Sequence, residues 1–176
     1  GEIVAAFDVA GAKRVNAIRA DRRNGQVLAR TDDREVVVFS SELDERRKIE
    51  DDASGFIELL HLRDGRAVYQ RRDELFVADL ATAKIIFRAD DARHGALMPD
   101  GTLLLAKGSD GASVVRLSDG QKTSISKEFA TDALAGREAA FISGLNRWWR
   151  YDRSDLQPLA ERPTAYISVR KSTGST

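Results

Sequence analysis

Few residues of this chain are of the types that perform chemistry at a reaction centre. The 176 residues include two histidines, His61 and His94, and no cysteine, which excludes thiolate nucleophiles, disulfides and cysteine metal sites. The two histidines stand at different distances before the glycines that follow them, so we interpret each as a structural side chain. No Gly-x-Ser-x-Gly sequence is present to place a serine nucleophile on a sharp turn. We predict no catalytic residue, no metal site and no cofactor.

Acidic residues occur as repeated pairs. Asp32 with Asp33, Asp51 with Asp52, and Asp90 with Asp91 follow apolar segments at corresponding places along the chain. General acid and base catalysis needs two carboxyl groups in different environments, whereas repetition indicates shared turn chemistry. The segments DDARHG and GSDGAS lack the order of acids that a calcium loop requires. We therefore predict that these acidic residues form turns.

The overall charge excludes some classes of partner. Lysine plus arginine and aspartate plus glutamate both total 28, so the net charge is zero, and no global basic field attracts nucleic acid or anionic lipid. No apolar run approaches the roughly 20 residues that span a bilayer. We expect a soluble protein with no nucleic-acid or membrane partner, and we favour the bacterial cytoplasm over the periplasm. A first residue other than Met leaves processing, including loss of a signal peptide, open.

A repeat organises the elements that position these residues. Gly25, Gly65, Gly101 and Gly136 each stand between two apolar segments and are separated by 40, 36 and 35 residues. A third apolar segment begins about eleven residues after each glycine, and a short fourth segment follows a polar turn. Alternating polar and apolar residues at 66–72 and 73–80 are typical of strands. Each repeat therefore predicts four short antiparallel strands joined by tight turns.

Four strands recurring every 35 to 40 residues resemble a β-propeller blade of the broad WD40-like or quinoprotein-like kind. The Gly-His and Trp-Asp signatures of WD repeats are missing, although Asp8, Asp79 and Asp152 end third strands where that family's aspartate falls. The resemblance implies an all-β fold of about four to five four-stranded blades. We assign the polar segment 40–52 to a strand and its loops rather than to a helix, because the repeat requires a fourth strand there.

The repeat predicts a single propeller or partial propeller over residues 1–176. Residues 1–14 match the third and fourth strands of one blade, and residues 164–176 match the first strand of a further blade. Two arrangements remain open: a small five-bladed ring with one incomplete blade, or a fragment of a larger propeller. The predicted blades between these ends are 15–51, 52–90, 91–127 and 128–163.

One aromatic and arginine-rich segment, 147–153, differs from its counterparts in the other repeats. Trp148 and Trp149 point to opposite faces of a strand, so at most one of them fills the core between blades. Two interpretations remain open: the tryptophans pack between blades under arginine stems, or the segment binds a partner. Arginines in a second segment, 70–74, are further candidates. The candidate partner-binding residues are Arg147, Trp148, Trp149, Arg150, Tyr151, Arg71 and Arg72.

The resemblance and the sparse chemistry favour a non-enzymatic module that binds another protein through its blade-edge loops. The partner is expected to be another chain or domain that completes the propeller, or a second copy in a homo-oligomer. A propeller enzyme or small-ligand binder with its site in the central channel is the alternative, and an inhibitor or immunity-type protein is a third. Fold alone does not choose among these functions.

Overall fold

The computed structural model describes residues 15–21, 25–31, 35–39, 46–49, 56–136, 139–144, 147–152 and 156–159. These residues contain strands and turns and no helix, so the predicted all-β fold is confirmed. The strands form four antiparallel sheets of four strands, and in each sheet the strand order follows the chain order. The predicted terminal strands at 1–14 and 164–176 lie outside the described residues.

Sheets I and II contain the first eight strands. Sheet I consists of β1 (Val15–Ala20), β2 (Val27–Thr31), β3 (Val36–Phe39) and β4 (Arg46–Ile49). Sheet II consists of β5 (Ile57–Arg63), β6 (Arg66–Arg71), β7 (Glu74–Asp79) and β8 (Lys84–Ala89). Strand β4 confirms the strand predicted within the polar segment 40–52, and the rest of that segment lies outside the described residues.

Sheets III and IV contain the remaining strands. Sheet III consists of β9 (His94–Leu97), β10 (Thr102–Ala106), β11 (Ala112–Arg116) and β12 (Lys122–Ser126). Sheet IV consists of β13 (Asp132–Ala135), β14 (Ala140–Ser143), β15 (Trp148–Tyr151) and β16 (Leu156–Leu159). The repeated glycines lie where the sequence predicts them, between the first and second strands of each sheet. Gly25, Gly65 and Gly101 adopt positive φ angles of 65°, 73° and 82°.

The chain divides into two compact units, residues 1–72 with 76–86, and residues 73–75 with 87–176. In the first unit a single apolar cluster joins sheets I and II. It includes Leu28 and Val36 from sheet I and Ile57, Tyr69 and Phe76 from sheet II, all at most 1% exposed. The rings of Tyr69 and Phe76 stack with their centroids 5.3 Å apart. Burial of these faces supplies the hydrophobic driving force for sheet packing.

Polar contacts fix how sheets I and II meet. The guanidinium groups of Arg19, Arg30 and Arg47 donate hydrogen bonds to main-chain carbonyls of Leu59, Ile57 and Ala81. Oδ2 of the buried Asp21 accepts a hydrogen bond of 3.0 Å from the backbone amide of Gly65. A carboxylate of sheet I therefore completes the glycine turn of sheet II.

The second unit has its own apolar cluster, shared by sheets III and IV. Leu104 and Ala112 contribute from sheet III, and Ile142, Trp149 and Tyr151 contribute from sheet IV.

His94, on β9, binds Asp132 at the start of β13. Its Nδ1 atom lies 3.3 Å from Oδ1 of Asp132 and 3.4 Å from the amide nitrogen of Ala133. The amide donates to Oδ1 at the shorter distance of 2.9 Å, so we interpret Nδ1 as a donor to the same oxygen. His94 thus joins two sheets.

Candidate protein-binding surface

Antiparallel strands in chain order place alternate turns at opposite ends of a sheet. In the second unit, the β8–β9, β10–β11 and β12–β13 connections meet at one end, together with the β6–β7 turn. We call this group of residues the loop-end surface: Asp73, 90–93, 107–111 and 127–131. Asp90 and Asp91 are exposed in the β8–β9 turn, as the sequence predicts for this acidic pair. The pairs at 32–33 and 51–52 lie outside the described residues.

Main-chain hydrogen bonds hold the loops of this surface together. The amide of Ala92 donates to the carbonyl of Asp73 at 3.1 Å, and the amide of Arg93 donates to the carbonyl of Ala106 at 2.8 Å. Gly108 and Ala130 exchange two hydrogen bonds of 2.7 and 2.9 Å in an isolated antiparallel bridge. The surface is therefore built on backbone that the fold already fixes.

A recess of about 300 Å³ opens between these loops. Its walls carry groups of both charges, with carboxylates from three loops and two cations. The lining residues are Asp73, Asp91, Ala92, Arg93, Lys107, Gly108, Ser109 and Asp110. Such a composition suits polar and charged groups of a partner better than an apolar ligand.

Several charges in the recess have no counterpart. Within the part of the chain that the structure describes, the exposed side chains of Asp73, Asp91 and Arg93 form no hydrogen bond or ion pair. The ammonium group of Lys107 lies 4.0 Å from Oδ2 of Asp110. Partial burial and then the charge of Lys107 lower the pKa of Lys122. The charges of Asp73, Asp91 and Arg93 are available to bind groups of opposite sign.

Phe129 lies beside Arg93 on the loop-end surface. A Cβ atom built on Gly108 would lie 3.5 Å from Nε of Arg93 and 3.8 Å from Cε2 of Phe129, so both side chains flank this glycine. Phe129 is 38% exposed, and it is one of four large apolar side chains exposed to this degree among the described residues. An exposed aromatic ring next to an arginine is a combination enriched at protein interfaces.

The candidate residues predicted from the sequence lie in different environments. Arg72, Arg147 and Arg150 are exposed, and Trp148 is half-buried. The remaining candidates are buried: Arg71 is 6%, Trp149 7% and Tyr151 8% exposed. Trp149 and Tyr151 belong to the apolar cluster of the second unit, whereas Arg71 is a buried charged residue outside both clusters. The prediction that at most one tryptophan fills the core between sheets is confirmed by Trp149.

The period of two along a strand explains the burial of Trp149 and Tyr151. Trp149 and Tyr151 share one face of β15 and enter the apolar cluster of the second unit, whereas Trp148 and Arg150 occupy the other face. Burial raises the pKa of the Tyr151 hydroxyl, and the carboxylates of Asp100 and Asp152 raise it further. The ring of Trp149 packs so closely on Gly144 that a Cβ atom there would lie 2.9 Å from it.

The loop-end surface contains residues that sequence reasoning missed, notably Phe129, Arg93 and Asp73. Among the described residues no three histidine, aspartate or glutamate side chains are grouped to hold a metal ion. No helix in the described part of the chain is long and apolar enough to cross a membrane.

Comparison with solved structures identifies the architecture. One domain with a similar structure is the β-propeller domain of Cps50 (Swd1) from Myceliophteria thermophila, with a TM-score of 0.64 and 13% sequence identity. The match covers 88% of this chain and 58% of that one. The fold is a β-propeller. The resemblance predicted from the strand repeat is therefore confirmed, and the four sheets are its blades.

Two further propellers show the same likeness. Hsv2 from Kluyveromyces lactis matches with a TM-score of 0.63 and 11% identity over 82% of this chain and 49% of its own. PorZ, an essential bacterial surface component of the type-IX secretion system of Porphyromonas gingivalis, matches with a TM-score of 0.64 and 15% identity. That match covers 82% of this chain and 22% of PorZ. The chain thus spans from about a fifth to somewhat over half of these proteins.

In the sequence comparisons, no family model and no curated protein matches this chain.

Proposed function

We propose that this chain is a non-catalytic propeller module that binds another protein through the loop-end surface. The observation that carries the proposal is the exposed Phe129 ring beside the uncompensated Arg93, at the rim of a charged recess. Aromatic and arginine side chains dominate the binding energy of many interfaces when a partner removes them from water.

Preorganisation of the surface supports this function. The loops that carry Phe129 and Arg93 are joined through the Gly108–Ala130 bridge and the Arg93–Ala106 hydrogen bond. A partner that docks here does not have to order these backbones, which lowers the entropic cost of association. Rigid loops presented on a sheet scaffold are a common solution for binding.

The charges of the recess indicate the chemistry of the partner. Asp73 and Asp91 offer two carboxylates for a lysine or arginine side chain, and Arg93 offers a guanidinium for a carboxylate. Phe129 offers an apolar contact at the same rim. The proposed partner is a protein segment in which a basic side chain lies close to an apolar or aromatic one.

The comparisons support a role within a larger assembly. The chain corresponds to 22% of PorZ, which is itself a component of a secretion system, and to about half of the Hsv2 propeller. In our proposal the module belongs to a larger bacterial protein or complex, where it serves as a scaffold or regulatory element. A partner chain or domain that contributes further blades is part of the same proposal.

Selection of peptides from a random display library against the wild-type chain tests the proposed surface. We expect the selected peptides to combine basic and apolar residues and to lose at least tenfold in affinity for Phe129→Ala and Arg93→Ala, measured by fluorescence anisotropy. Each substitution removes one side chain from an exposed position, so the fold should be retained.

Arg116→Ala is the matched control, because Arg116 is also exposed but lies at the turn between β11 and β12. This variant should bind the selected peptides as the wild type does. Peptides that bind the Phe129→Ala and Arg93→Ala variants with wild-type affinity would contradict the proposed surface.

A second candidate function is the binding of a small zwitterionic ligand. The small volume of the recess and its charges of both signs favour such a ligand. The recess of about 300 Å³ is at the small end of ligand sites. Thermal denaturation in the presence of free amino acids tests it: a specific ligand should raise the melting temperature of the wild type but not of Asp73→Asn/Asp91→Asn.

A further inference from the structure

Strand β8 is the last strand of sheet II and forms one of its edges. It differs from β4, β12 and β16, which are the last strands of the other described sheets; we call these four strands the outer strands. Its sequence contains three consecutive apolar residues, Ile85, Ile86 and Phe87. In contrast, β4 carries three cations, β12 carries Lys, Thr and Ser, and β16 contains Pro158. Charges and prolines on edge strands prevent pairing with other chains. Strand β8 also carries two cations, Lys84 and Arg88, but it has the longest apolar run of these four strands.

The side chains of β8 alternate between the two faces of the sheet. Lys84, Ile86 and Arg88 are exposed, whereas Ile85 and Phe87 are half-buried. Ile86 is 40% exposed, so its apolar side chain is accessible at this edge. An edge strand of six residues with such composition offers main-chain donors and acceptors together with an apolar side chain.

The charges at the ends of this segment are of opposite sign. Lys84 is exposed and forms no hydrogen bond or ion pair with the described residues. Asp90 follows β8 directly, is exposed, and lies 3.9 Å from Nε of Arg88. Arg88 is held more closely by Glu74, at 2.5 Å. Lys84 and Asp90 are thus the two end charges available to a second strand.

Register decides which pairing of two β8 strands is favourable. An antiparallel pair related by a two-fold axis normal to the sheet keeps exposed residues opposite exposed residues. Centring the axis on Ile86 would place Lys84 opposite Arg88, which is a like-charge contact. Centring it on Phe87 places Lys84 opposite Asp90 at both ends, with Ile86 opposite Arg88. Opposite charges across a strand pair stabilise it, and like charges destabilise it.

We propose that two copies of this chain associate through antiparallel pairing of their β8 strands, with the two-fold axis at Phe87. The pairing extends each four-stranded sheet into a continuous sheet of eight strands. It shares only Asp90 with the loop-end surface and does not use Phe129 or Arg93, so it does not depend on the function proposed above.

This dimer is expected to be weak. Six residues of strand extend over about 20 Å, and the area that such an edge buries is below the 1,200 to 2,000 Å² of standard stable interfaces. The association is therefore best measured by sedimentation velocity on the full chain from about 5 to 500 µM, the concentrations at which weak dimers form.

Charge-swap variants test the register. Lys84→Glu and Asp90→Lys each create a like-charge pair at both ends of the interface and should weaken the dimer at least tenfold. The double variant Lys84→Glu/Asp90→Lys restores opposite charges and should regain an affinity within about threefold of the wild type. Ile86→Lys should also weaken the dimer, because it places a second cation opposite Arg88.

Ser124→Lys on β12 is the matched control, since it adds the same charge to another exposed outer strand. It should leave the dimer unchanged, and all variants should keep the circular dichroism spectrum of the wild type. A wild-type chain that stays monomeric at 500 µM would overturn the proposal. So would a double variant that remains as weak as either single one, or a Ser124→Lys variant that dissociates equally.

Discussion

At the scale of single residues, the aspartates of this chain build turns. Oδ1 of Asp100 accepts hydrogen bonds from the amide and hydroxyl of Thr102 at 3.0 and 2.6 Å, and Asp79 binds Thr82 in the same way at 2.8 Å. The amide of Gln121 and then the guanidinium of Arg116 hold the pKa of the exposed Asp119 carboxyl below its usual value. Local hydrogen bonding of this kind is the reason aspartate is frequent in turns.

Two glycines with similar backbone angles allow a direct test of the space around a turn. Gly111 and Gly120 have φ angles of +75° and +72°. A Cβ atom on Gly111 would lie 2.1 Å from the carbonyl oxygen of Ser126, whereas one on Gly120 would meet nothing within 4 Å. Gly120→Ala should therefore cost only the strain of a left-handed alanine, about 1 to 2 kcal/mol. Gly111→Ala should cost more than about 4 kcal/mol, because backbone must move.

Equilibrium unfolding in urea measures this difference. Equal losses of stability in the two alanine variants would show that the contact between the β10–β11 turn and the end of β12 is looser than described.

The buried hydroxyl of Tyr151 predicts a dependence of stability on alkaline pH. Its pKa is raised in the folded state above the value of about 10 in an unfolded chain. Between these two pKa values the unfolded chain loses the proton and the folded chain keeps it, so stability is present below pH 10 and is lost as pH rises. Urea unfolding at pH 8 to 11 should show this loss in the wild type.

Tyr151→Phe has no group to ionise at this position, so its stability should decline less over the same pH range. Parallel pH profiles for the two proteins would contradict the raised pKa. The chain contains three tyrosines, and the comparison isolates the contribution of this one.

At the scale of elements, β15 shows how much a strand pattern reveals. The alternation of its side chains predicts that Trp148 and Trp149 occupy opposite faces, but both faces of a blade can be covered, so the pattern does not tell which ring enters the core. The structure assigns Trp149 to the core together with Tyr151. The apolar cluster that Trp149 shares with Met98 and Leu104 decides this point, and those residues are not local to it in sequence.

The two tryptophans are the only ones in the chain, so single-tryptophan variants report on each face separately. The Trp149→Phe variant keeps only Trp148, and the Trp148→Phe variant keeps only Trp149. Acrylamide should quench the fluorescence of the first variant more strongly than that of the second. In urea unfolding, Trp149→Ala should cost about 3 to 5 kcal/mol, as expected for a large buried ring. Trp148→Ala should cost less than half as much, and a reversed order would contradict the assigned faces.

The strands were predictable because their turns are local, whereas the loop-end surface was not. Asp64 with Gly65 and Asp100 with Gly101 mark turns within a few residues of the strands they join. Phe129 lies in a polar connection without alternation, and its neighbour Arg93 is 36 residues earlier in the chain. Only folding brings these two residues together, so no short sequence pattern could identify the surface.

At the scale of the whole molecule, the balance of charge limits the partners that the chain can bind. With 28 basic and 28 acidic residues, binding to a polyanion cannot gain much from release of counterions. We expect single-stranded and duplex DNA to bind more weakly than about 100 µM at 0.15 M salt, measured by fluorescence anisotropy. Micromolar binding with a steep dependence on salt would show that a local basic surface outweighs the neutral total.

The contact between Asp21 and Gly65 bears on the order of folding during synthesis. The buried carboxylate belongs to the first described sheet, and the glycine turn that it completes belongs to the second. As the chain leaves the ribosome, the acceptor emerges about 44 residues before the amide that it will bind. The earlier sheet can thus serve as a template on which the following hairpin closes, so assembly is expected to proceed from the amino-terminal side.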